Sequence, residues 1–239
     1  MRICRNTSEW IARTTNPPPQ ASKPRSGSAC HASFPTRNHR MTDTDDSKQR
    51  QREILRLRLA AMDQGRLSAG SDAIVRTLEG VLRERPGGGV LGFHPLAGEP
   101  DIRPLLEQAI ASGRTVCLPE VDWDRRTMAP ARLNGLDQVR EGRHGVVEPL
   151  PGEPIDIEDI SVVLVPGLGF DDQGRRLGRG GGFYDRFLAA CPHHVLPVGI
   201  GFREQLMERI ETGPTDIPLP MIITDAGIIM PGSSTMGRS

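Results

Sequence analysis

The 239-residue chain has 36% hydrophobic and 25% charged residues and no net charge, which is typical of a folded globular domain and excludes a disordered or fibrous protein. No apolar run reaches the length of a transmembrane helix. Residues 1–40 contain seven Lys or Arg and one acidic residue, Glu9, which leaves 23 basic and 29 acidic residues in 41–239. An acidic body with 4% aromatic residues is a poor surface for nucleic acid. The four cysteines show no CxxC spacing and are interpreted as free thiols, which fits a reducing cytosol. We therefore expect a cytoplasmic domain that binds neither nucleic acid nor membranes.

Residues 1–40 differ in composition from the rest of the chain. They include a run of prolines at 17–19, many Ser and Thr, and no periodic apolar pattern, so we interpret them as a disordered N-terminal extension. The polar sequence after Met41 indicates that Met41 is the native start and that 41–239 form one domain. The Arg-rich, acid-poor composition of 1–40 also leaves open a targeting segment.

The first predicted elements of the domain are two amphipathic helices. Apolar residues on one face of 47–66 predict the first helix. We expect Ser71 and Asp72 to cap the second helix at its N-terminus, and 86–89, which contains proline and glycines, to end it.

The next segment predicts a strand, a helix and a second strand. Residues 90–93 and 115–118 are short apolar runs, as expected of buried strands. Between them, apolar residues recur at helical spacing after Asp101, and Gly113 follows where a glycine commonly ends a helix. This order predicts two parallel strands joined by a crossover helix.

The same alternation continues toward the C-terminus. Apolar strands are predicted at 162–165, 195–200 and 221–224, with a helix at 183–190 and a further candidate strand at 127–133. The sequence therefore predicts an α/β fold, a single domain with a mostly parallel central sheet flanked by helices on both faces. The loops at the strand ends are expected to share one cleft.

A glycine-rich loop with three arginines, 175–182, connects one of these strands to the next helix. Glycines let the main chain close around phosphate oxygens, and a helix start offers unpaired N–H groups. The guanidinium groups of Arg175, Arg176 and Arg179 suit phosphate. Asp185 follows the loop, and a carboxylate beside bound phosphate requires a cation between them, so the pattern indicates a magnesium–nucleotide site.

General nucleotide-binding motifs do not account for this loop. The chain has no GxxxxGK[ST] sequence, and the glycines at 178–182 lack the GxGxxG spacing of a dinucleotide-binding loop. From composition alone, a glycine-rich turn without a ligand is an equal alternative.

The longer string PGLGFDDQGRRLGRGGGFYDRFL, residues 166–188, closely resembles the signature of the 5-formyltetrahydrofolate cyclo-ligases, also called 5,10-methenyltetrahydrofolate synthetases. The resemblance extends over nearly all of 47–225. It implies an enzyme that uses ATP and Mg²⁺ to close 5-formyltetrahydrofolate to 5,10-methenyltetrahydrofolate, through a phosphorylated formyl intermediate, with release of ADP and phosphate. We expect a monomer whose partners are two small molecules, ATP and a reduced folate.

The resemblance also implies which residues bind each ligand. The ATP site would comprise Arg52, Arg56, Arg176, Leu177, Gly178, Arg179, Gly180, Gly181, Gly182, Phe183 and Tyr184. The folate site would comprise His94, Glu99, Arg179, Gly180, Gly181, Gly182 and Phe183. Asp185 and Asp216 would hold Mg²⁺. Arg179 and Tyr184 would act in catalysis.

Two positions depart from the family pattern. The family has Lys-x-x-Leu-Arg in its first helix, and here Arg52 replaces the Lys, which retains the charge but not the compact ammonium group. Lys48, one turn earlier, is a further candidate, and we rank Arg56 above Arg52 and Arg52 above Lys48. Thr215 stands where the family commonly has His before Asp216.

Other interpretations remain open. Glu99 is also favourable as a charge near a helix N-terminus, His94 is also typical of a packing residue, and 213–220 also fits a plain proline-rich turn. For the whole chain, one alternative is a sugar-phosphate isomerase or CoA-transferase-like enzyme, which would not need ATP. The other is a folate-binding or nucleotide-binding regulator without turnover.

Overall fold

The computed structural model of the protein describes residues 39–150 and 152–232. The chain divides into two compact units, Met1–Asp43 and Thr44–Ser239. In the first unit only 39–43 are described, and they are helical; the features below belong to the second unit. Most of the predicted extension at 1–40 therefore lies outside the described residues, and its disorder stays a prediction.

The described residues form helices, strands and three short 3₁₀ turns. The helices are α1 (His39–Ala60), α2 (Gln64–Glu84), α3 (Arg103–Ala111) and α4 (Phe183–Ala189). The strands are β1 (Gly89–Leu91), β2 (Val116–Asp122), β3 (Thr127–Arg132), β4 (Val139–Glu141), β5 (Val147–Pro149), β6 (Ile160–Pro166), β7 (Gly169–Phe170), β8 (Arg176–Leu177), β9 (Leu196–Ile200), β10 (Met221–Thr224) and β11 (Gly227–Ile229). The 3₁₀ turns are Arg143–Gly145, Ile157–Asp159 and Arg203–Gln205.

Seven strands form the central sheet in the order β11-β10-β9-β6-β1-β2-β3. The five inner strands are parallel, and β3 and β11 pair antiparallel at the two edges. The predicted α/β fold with a mostly parallel sheet is confirmed. Strand order reverses between β1 and β6, and a crevice forms at such a point in a doubly wound sheet.

Apolar side chains of β6 alternate between two cores, one on each face of the sheet. Val162 and Leu164 pack with α1, α2 and α3, whereas Val163 and Val165 pack with α4. A strand buried on both faces is continuous in apolar residues because successive side chains point in opposite directions. This is why the run at 162–165 was readable as a central strand.

The boundary between the first two helices was predicted wrongly. The first helix ends at Ala60 instead of continuing to 66, and α2 begins at Gln64. Its N-cap is Asp63, whose Oδ1 accepts a hydrogen bond of 2.7 Å from the Arg66 backbone N–H. Ser71 lies inside α2, where its hydroxyl donates to the carbonyl of Leu67. Bonding to the carbonyl one turn earlier lets a serine sit within a helix.

Two further details refine the predicted elements. The N-cap of α3 is Ile102, which has no side-chain cap, and Asp101 instead accepts from the backbone N–H of Arg103. Gly113 follows α3 with φ of 81°, the left-handed conformation expected of a glycine at that position. Strand β11 was not predicted. Among the described residues, no helix is long and apolar enough to cross a membrane.

A chain that begins at Met41 is expected to match the full chain in thermal midpoint and in turnover. Among the described side chains of α1, the buried ones are Leu55 and Leu59, which lie more than three turns beyond Met41, so a chain that begins at Met41 keeps both of them. Differential scanning calorimetry and initial rates on both proteins test this. A clear loss in either quantity would show that 1–40 contribute.

Candidate active site

A cleft of ≈ 620 Å³ opens at the carboxyl ends of the parallel strands, where strand order reverses between β1 and β6. Its walls include His94 and Glu99 from the loop after β1, and Pro166 and Gly167 at the end of β6. This volume and position are those of a small-molecule site in an open α/β sheet.

The cleft brings together every residue that the resemblance assigns to the ATP, folate and metal sites except Arg56. Its lining includes Arg52, His94, Glu99, Arg176, Leu177, Gly178, Arg179, Gly180, Gly181, Gly182, Phe183, Tyr184, Asp185 and Asp216. Arg56 is exposed and does not line the cleft, whereas Lys48 does. The position of α1 therefore favours Lys48 and Arg52 over Arg56, the reverse of the order drawn from the sequence.

The glycine-rich loop needs glycine at two positions for backbone reasons. Gly180 has φ of 112° and Gly182 has φ of 67°, and residues that have a Cβ atom rarely adopt these backbone angles. A Cβ on Gly180 would meet no atom within 4 Å, so its backbone conformation, not space, requires glycine. The loop thereby turns from β8 into α4 while its main chain stays open to the cleft.

A buried carboxylate fixes the hairpin that carries this loop. Asp171 is fully buried and accepts hydrogen bonds from the backbone N–H groups of Gln173, Arg175 and Ile210 at 2.9–3.0 Å. The guanidinium of Arg175 also points to Asp171, at 3.4 Å, and Arg175 does not line the cleft. The expectation that Arg175 binds phosphate was therefore wrong, because this side chain turns back onto its own hairpin.

Three ion pairs are formed between side chains that line the cleft. Lys48 Nζ lies 2.6 Å from Asp216, and Arg176 Nη2 lies 2.9 Å from Asp185. Arg179 donates from Nε and Nη2 to Glu99 Oε1 at 3.1 and 2.9 Å. Lys48–Asp216 and Arg179–Glu99 join segments that are 168 and 80 residues apart in the chain, whereas Arg176–Asp185 links the two ends of the glycine-rich loop.

The charges along the cleft balance. Its lining includes four cationic side chains, Lys48, Arg52, Arg176 and Arg179. It includes four carboxylates, Asp45, Glu99, Asp185 and Asp216. Arg52 has no carboxylate partner among the described residues and donates instead to the carbonyl of Gly178 at 3.0 Å. Burial, followed by the nearby Arg56, lowers the pKa of Arg52, so an anion at this point would relieve an existing electrostatic cost.

The two predicted metal ligands, Asp185 and Asp216, lie on segments that contact each other. The backbone N–H of Ile217, the residue after Asp216, is 3.5 Å from Asp185 Oδ1. Within the described part of the chain, no three His, Cys, Asp or Glu side chains are grouped to hold a metal by themselves. Two carboxylates fit Mg²⁺ only together with phosphate oxygens, which is its usual arrangement with nucleotides.

Three buried polar atoms of the described residues have no hydrogen-bond partner, and all three belong to side chains lining the cleft: His94 Nδ1, Arg176 Nε and the Tyr184 hydroxyl. Such atoms are rare because leaving them unpaired costs about 1–3 kcal/mol each. Burial raises the pKa of Tyr184, so its hydroxyl stays protonated and can donate. Burial, followed by Arg103, lowers the pKa of His94, which favours the neutral imidazole. The cleft is therefore prepared for a ligand with polar atoms.

Three ring side chains, whose grouping the sequence did not reveal, also line the cleft. The rings of Trp123 and Phe183 meet edge to face with centroids 5.1 Å apart. The His144 ring lies 5.0 Å from Trp123, and its backbone has φ of 59°, an uncommon value for a residue other than glycine. These three residues, named here the aromatic wall, come from the β2–β3 turn, the turn before β5 and the start of α4.

Comparison with known proteins identifies the family of this chain. The model of the 5-formyltetrahydrofolate cyclo-ligase family matches residues 44–225. The 5-formyltetrahydrofolate cyclo-ligase of Escherichia coli (strain K12) is 32% identical over 144 residues, covering 57% of this chain and 77% of the relative. That of Mycolicibacterium smegmatis is also 32% identical over 144 residues, covering 56% and 72%.

Solved structures show the same fold. The 5,10-methenyltetrahydrofolate synthetase of Aquifex aeolicus superposes with a TM-score of 0.66 at 28% identity, covering 80% of this chain and 95% of that one. The enzyme of that name from Mycoplasma pneumoniae has a TM-score of 0.61 at 22% identity, covering 74% and 98%. The family match at residues 44–225 covers the cleft lining and every strand of the central sheet except β11, so this chain belongs to the 5-formyltetrahydrofolate cyclo-ligase family.

Proposed function

We propose that the protein converts 5-formyltetrahydrofolate to 5,10-methenyltetrahydrofolate, using ATP with Mg²⁺ and releasing ADP and phosphate. The observation that carries the proposal is the contact between Arg179 and Glu99. It joins the glycine-rich loop, assigned to the nucleotide, to the loop after β1, assigned to the folate. Both ligands would therefore meet in one cleft, as a direct transfer between them requires.

The chemistry begins with a poor leaving group. The formyl oxygen of the substrate is an amide oxygen, and it cannot leave when the neighbouring amine nitrogen of the folate attacks the formyl carbon. Transfer of the γ-phosphoryl group to that oxygen breaks the bond to the β-phosphate and releases ADP. The amine then forms the new C–N bond and loses its proton, while the formyl oxygen departs as part of phosphate.

The protein's part in this reaction is positioning and charge neutralisation, as in other phosphoryl transfers. Phosphate oxygens would be bound by Lys48, Arg52 and Arg176. Arg179 would stabilise the negative charge that develops on the transferred phosphoryl group. The Tyr184 hydroxyl would donate a hydrogen bond in the same place, because it is buried and unpaired. No nucleophilic side chain is needed.

Binding would proceed by exchange of partners in the ion pairs. Lys48, Arg176 and Arg179 are held by Asp216, Asp185 and Glu99 in the structure. When phosphate oxygens take the cations, the carboxylates lose their partners. The cation and carboxylate charges balance, so the cleft supplies no excess positive charge for a triphosphate. Magnesium, when bound with the nucleotide, supplies that charge, and Asp185 and Asp216 would hold it.

The phosphorylated intermediate makes a distinctive isotopic prediction. With ¹⁸O in the formyl group of the substrate, we expect the label in the released phosphate, because the formyl oxygen leaves bonded to phosphorus. Mass spectrometry of the phosphate measures this. Label recovered only in water would contradict the intermediate, although cyclisation itself would still be observed.

Replacing Arg52 with Ala is expected to raise the ATP Michaelis constant about tenfold or more, because a hydrogen bond to a charged partner contributes about 1.5–3 kcal/mol. The folate Michaelis constant should change little. Arg56→Ala is the matched control, since it removes the same charge one turn further along α1, outside the cleft lining. A larger effect of Arg56→Ala than of Arg52→Ala on the ATP Michaelis constant would contradict this placement of α1. It would support the ranking of Arg56 above Arg52 that was drawn from the sequence.

A further inference from the structure

We propose that Arg186 is a positioning residue that holds the β2–β3 turn against the glycine-rich loop and so fixes the aromatic wall of the cleft. This inference rests on the proposed function, because it takes the aromatic wall to be the surface that contacts the folate substrate. It concerns a side chain outside the cleft lining, which acts through Trp123 and Phe183.

The contacts of Arg186 explain why it can act in this way. Its Nε donates to the carbonyl of Arg126 at 2.6 Å, and its Nη2 donates to the carbonyl of Gly181 at 2.7 Å. Its guanidinium carbon lies 5.7 Å from the centre of the Phe183 ring. A single planar group therefore contacts the β2–β3 turn, the glycine-rich loop and the start of α4 together.

Arg186 does not pair with the carboxylate that precedes it in the chain. It follows Asp185, but the partner of that carboxylate is Arg176, and no ion pair of Arg186 is found among the described residues. An arginine that donates to two main-chain carbonyls from different segments links those segments by geometry. Lysine has the same charge but only a single ammonium group, so it cannot span both carbonyls as the fork does.

The segments joined by Arg186 are those that carry the aromatic wall. Arg126 has φ of 56° and lies in the same turn as Trp123, whose ring meets the ring of Phe183 edge to face. Trp123 also contacts His144. Fixing the Arg126 carbonyl relative to Gly181 thus fixes the distance between Trp123 and Phe183, and with it the width of the cleft at this wall.

Loss of this link should affect binding more than folding. Both hydrogen bonds of Arg186 are exposed, so water can replace the lost donor at each carbonyl. The cationic side chains proposed to bind ATP are held by contacts that do not involve Arg186. These side chains are Lys48, Arg52 and Arg176. We expect Arg186→Gln and Arg186→Lys to raise the folate Michaelis constant about tenfold, since misplacement of a binding wall costs affinity. The ATP constant should rise less, because Gly181 and Phe183 belong to both predicted sites but Trp123 belongs only to the wall, and the thermal midpoint should change little.

The test includes a readout that needs no turnover. The chain has two tryptophans, Trp10 and Trp123, so in the full chain carrying Trp10→Phe the fluorescence reports Trp123 alone. Without ligands, Arg186→Gln and Arg186→Lys should increase the quenching of this fluorescence by acrylamide, because the wall opens. Arg125→Ala is the control, as it removes a highly exposed arginine from the same turn and should leave quenching and both Michaelis constants unchanged.

Increased quenching together with a selective rise in the folate constant supports the proposal. Unchanged quenching in both Arg186 variants overturns it, and so does increased quenching with an unchanged folate constant. Equal rises in both Michaelis constants with a large drop in thermal midpoint also overturn it, because they show a general structural role. If the unaltered protein forms no methenyl product, the proposed function fails, whereas the quenching measurement still decides whether Arg186 holds the wall.

Discussion

Asp185→Asn is expected to lower turnover roughly a hundredfold or more and to raise the magnesium concentration needed for half-maximal rate. The reason is that a neutral amide is a weaker ligand than a carboxylate for the magnesium ion bound with ATP. The structure adds an effect without ligands. Asp185 is paired with the buried guanidinium of Arg176 at 2.9 Å, and asparagine accepts that hydrogen bond without the charge. We therefore also expect the free energy of unfolding to fall by about 1 kcal/mol.

The dependence on magnesium separates the two roles of Asp185. Initial rates across a magnesium titration, at saturating ATP and folate, measure it directly. Asp172→Asn is the matched control, since Asp172 lies outside the cleft lining and contacts Gln173 only through an exposed hydrogen bond. An unchanged magnesium requirement in folded Asp185→Asn would falsify the metal assignment and leave the ion pair with Arg176 as its role.

Arg179→Ala is expected to lower kcat roughly a hundredfold. A hydrogen-bond donor that stabilises the charge developing on the transferred phosphoryl group contributes mainly in the transition state. The variant also leaves Glu99 without its cation. The Glu99 side chain is only 6% exposed, so its unpaired charge should weaken ligand binding as well. The expected signature is a large drop in kcat with smaller changes in both Michaelis constants.

Glu99→Gln completes this comparison. It is expected to raise the folate Michaelis constant about tenfold with a smaller effect on kcat, since a charged acceptor is replaced by a neutral one. The two effects should be non-additive in the double variant because the side chains touch. Arg175→Ala is the control for the arginines, as that side chain faces Asp171 instead of the cleft. If Arg179→Ala raises only the folate constant, its role in phosphoryl transfer is wrong.

The order of helices and strands was predictable because it depends on local patterns. Strand β10 was predicted with its observed bounds, 221–224, and β6 was predicted at 162–165 within Ile160–Pro166. Both are apolar on both faces, so their signal does not depend on tertiary contacts. The start of α2 was predicted wrongly because serine is a common N-cap residue, so Ser71 was taken as the cap. The structure shows that Asp63 is the N-cap instead.

The position of α1 along the cleft shows the limit of a helical pattern. Lys48, Arg52 and Arg56 follow one another at intervals of four residues, so the sequence places them near one face of a helix. Each step advances about 6 Å along the axis, and only the packing of Leu55 and Leu59 against the sheet decides which of them reaches the cleft. The resemblance to a family favoured Arg56, and the structure brings Lys48 and Arg52 into the lining.

The ion pairs and the aromatic wall required tertiary structure. Arg179 and Glu99 are 80 residues apart in the chain, and neither has a local signal for the other. Trp123 and His144 lie in turns of an irregular segment whose short strands have little apolar periodicity. The glycines and charged residues of the loop could therefore suggest that it binds phosphate, but not which side chains oppose it.

The central claim is that ATP is consumed as the folate ring closes. The direct measurement is the absorbance of 5,10-methenyltetrahydrofolate on addition of 5-formyltetrahydrofolate, ATP and Mg²⁺, with ADP quantified in the same samples. The account predicts that absorbance appears only when ATP is present and that product and ADP form in equal amounts. Methenyl product formed without ATP, or ADP released without product, would contradict it.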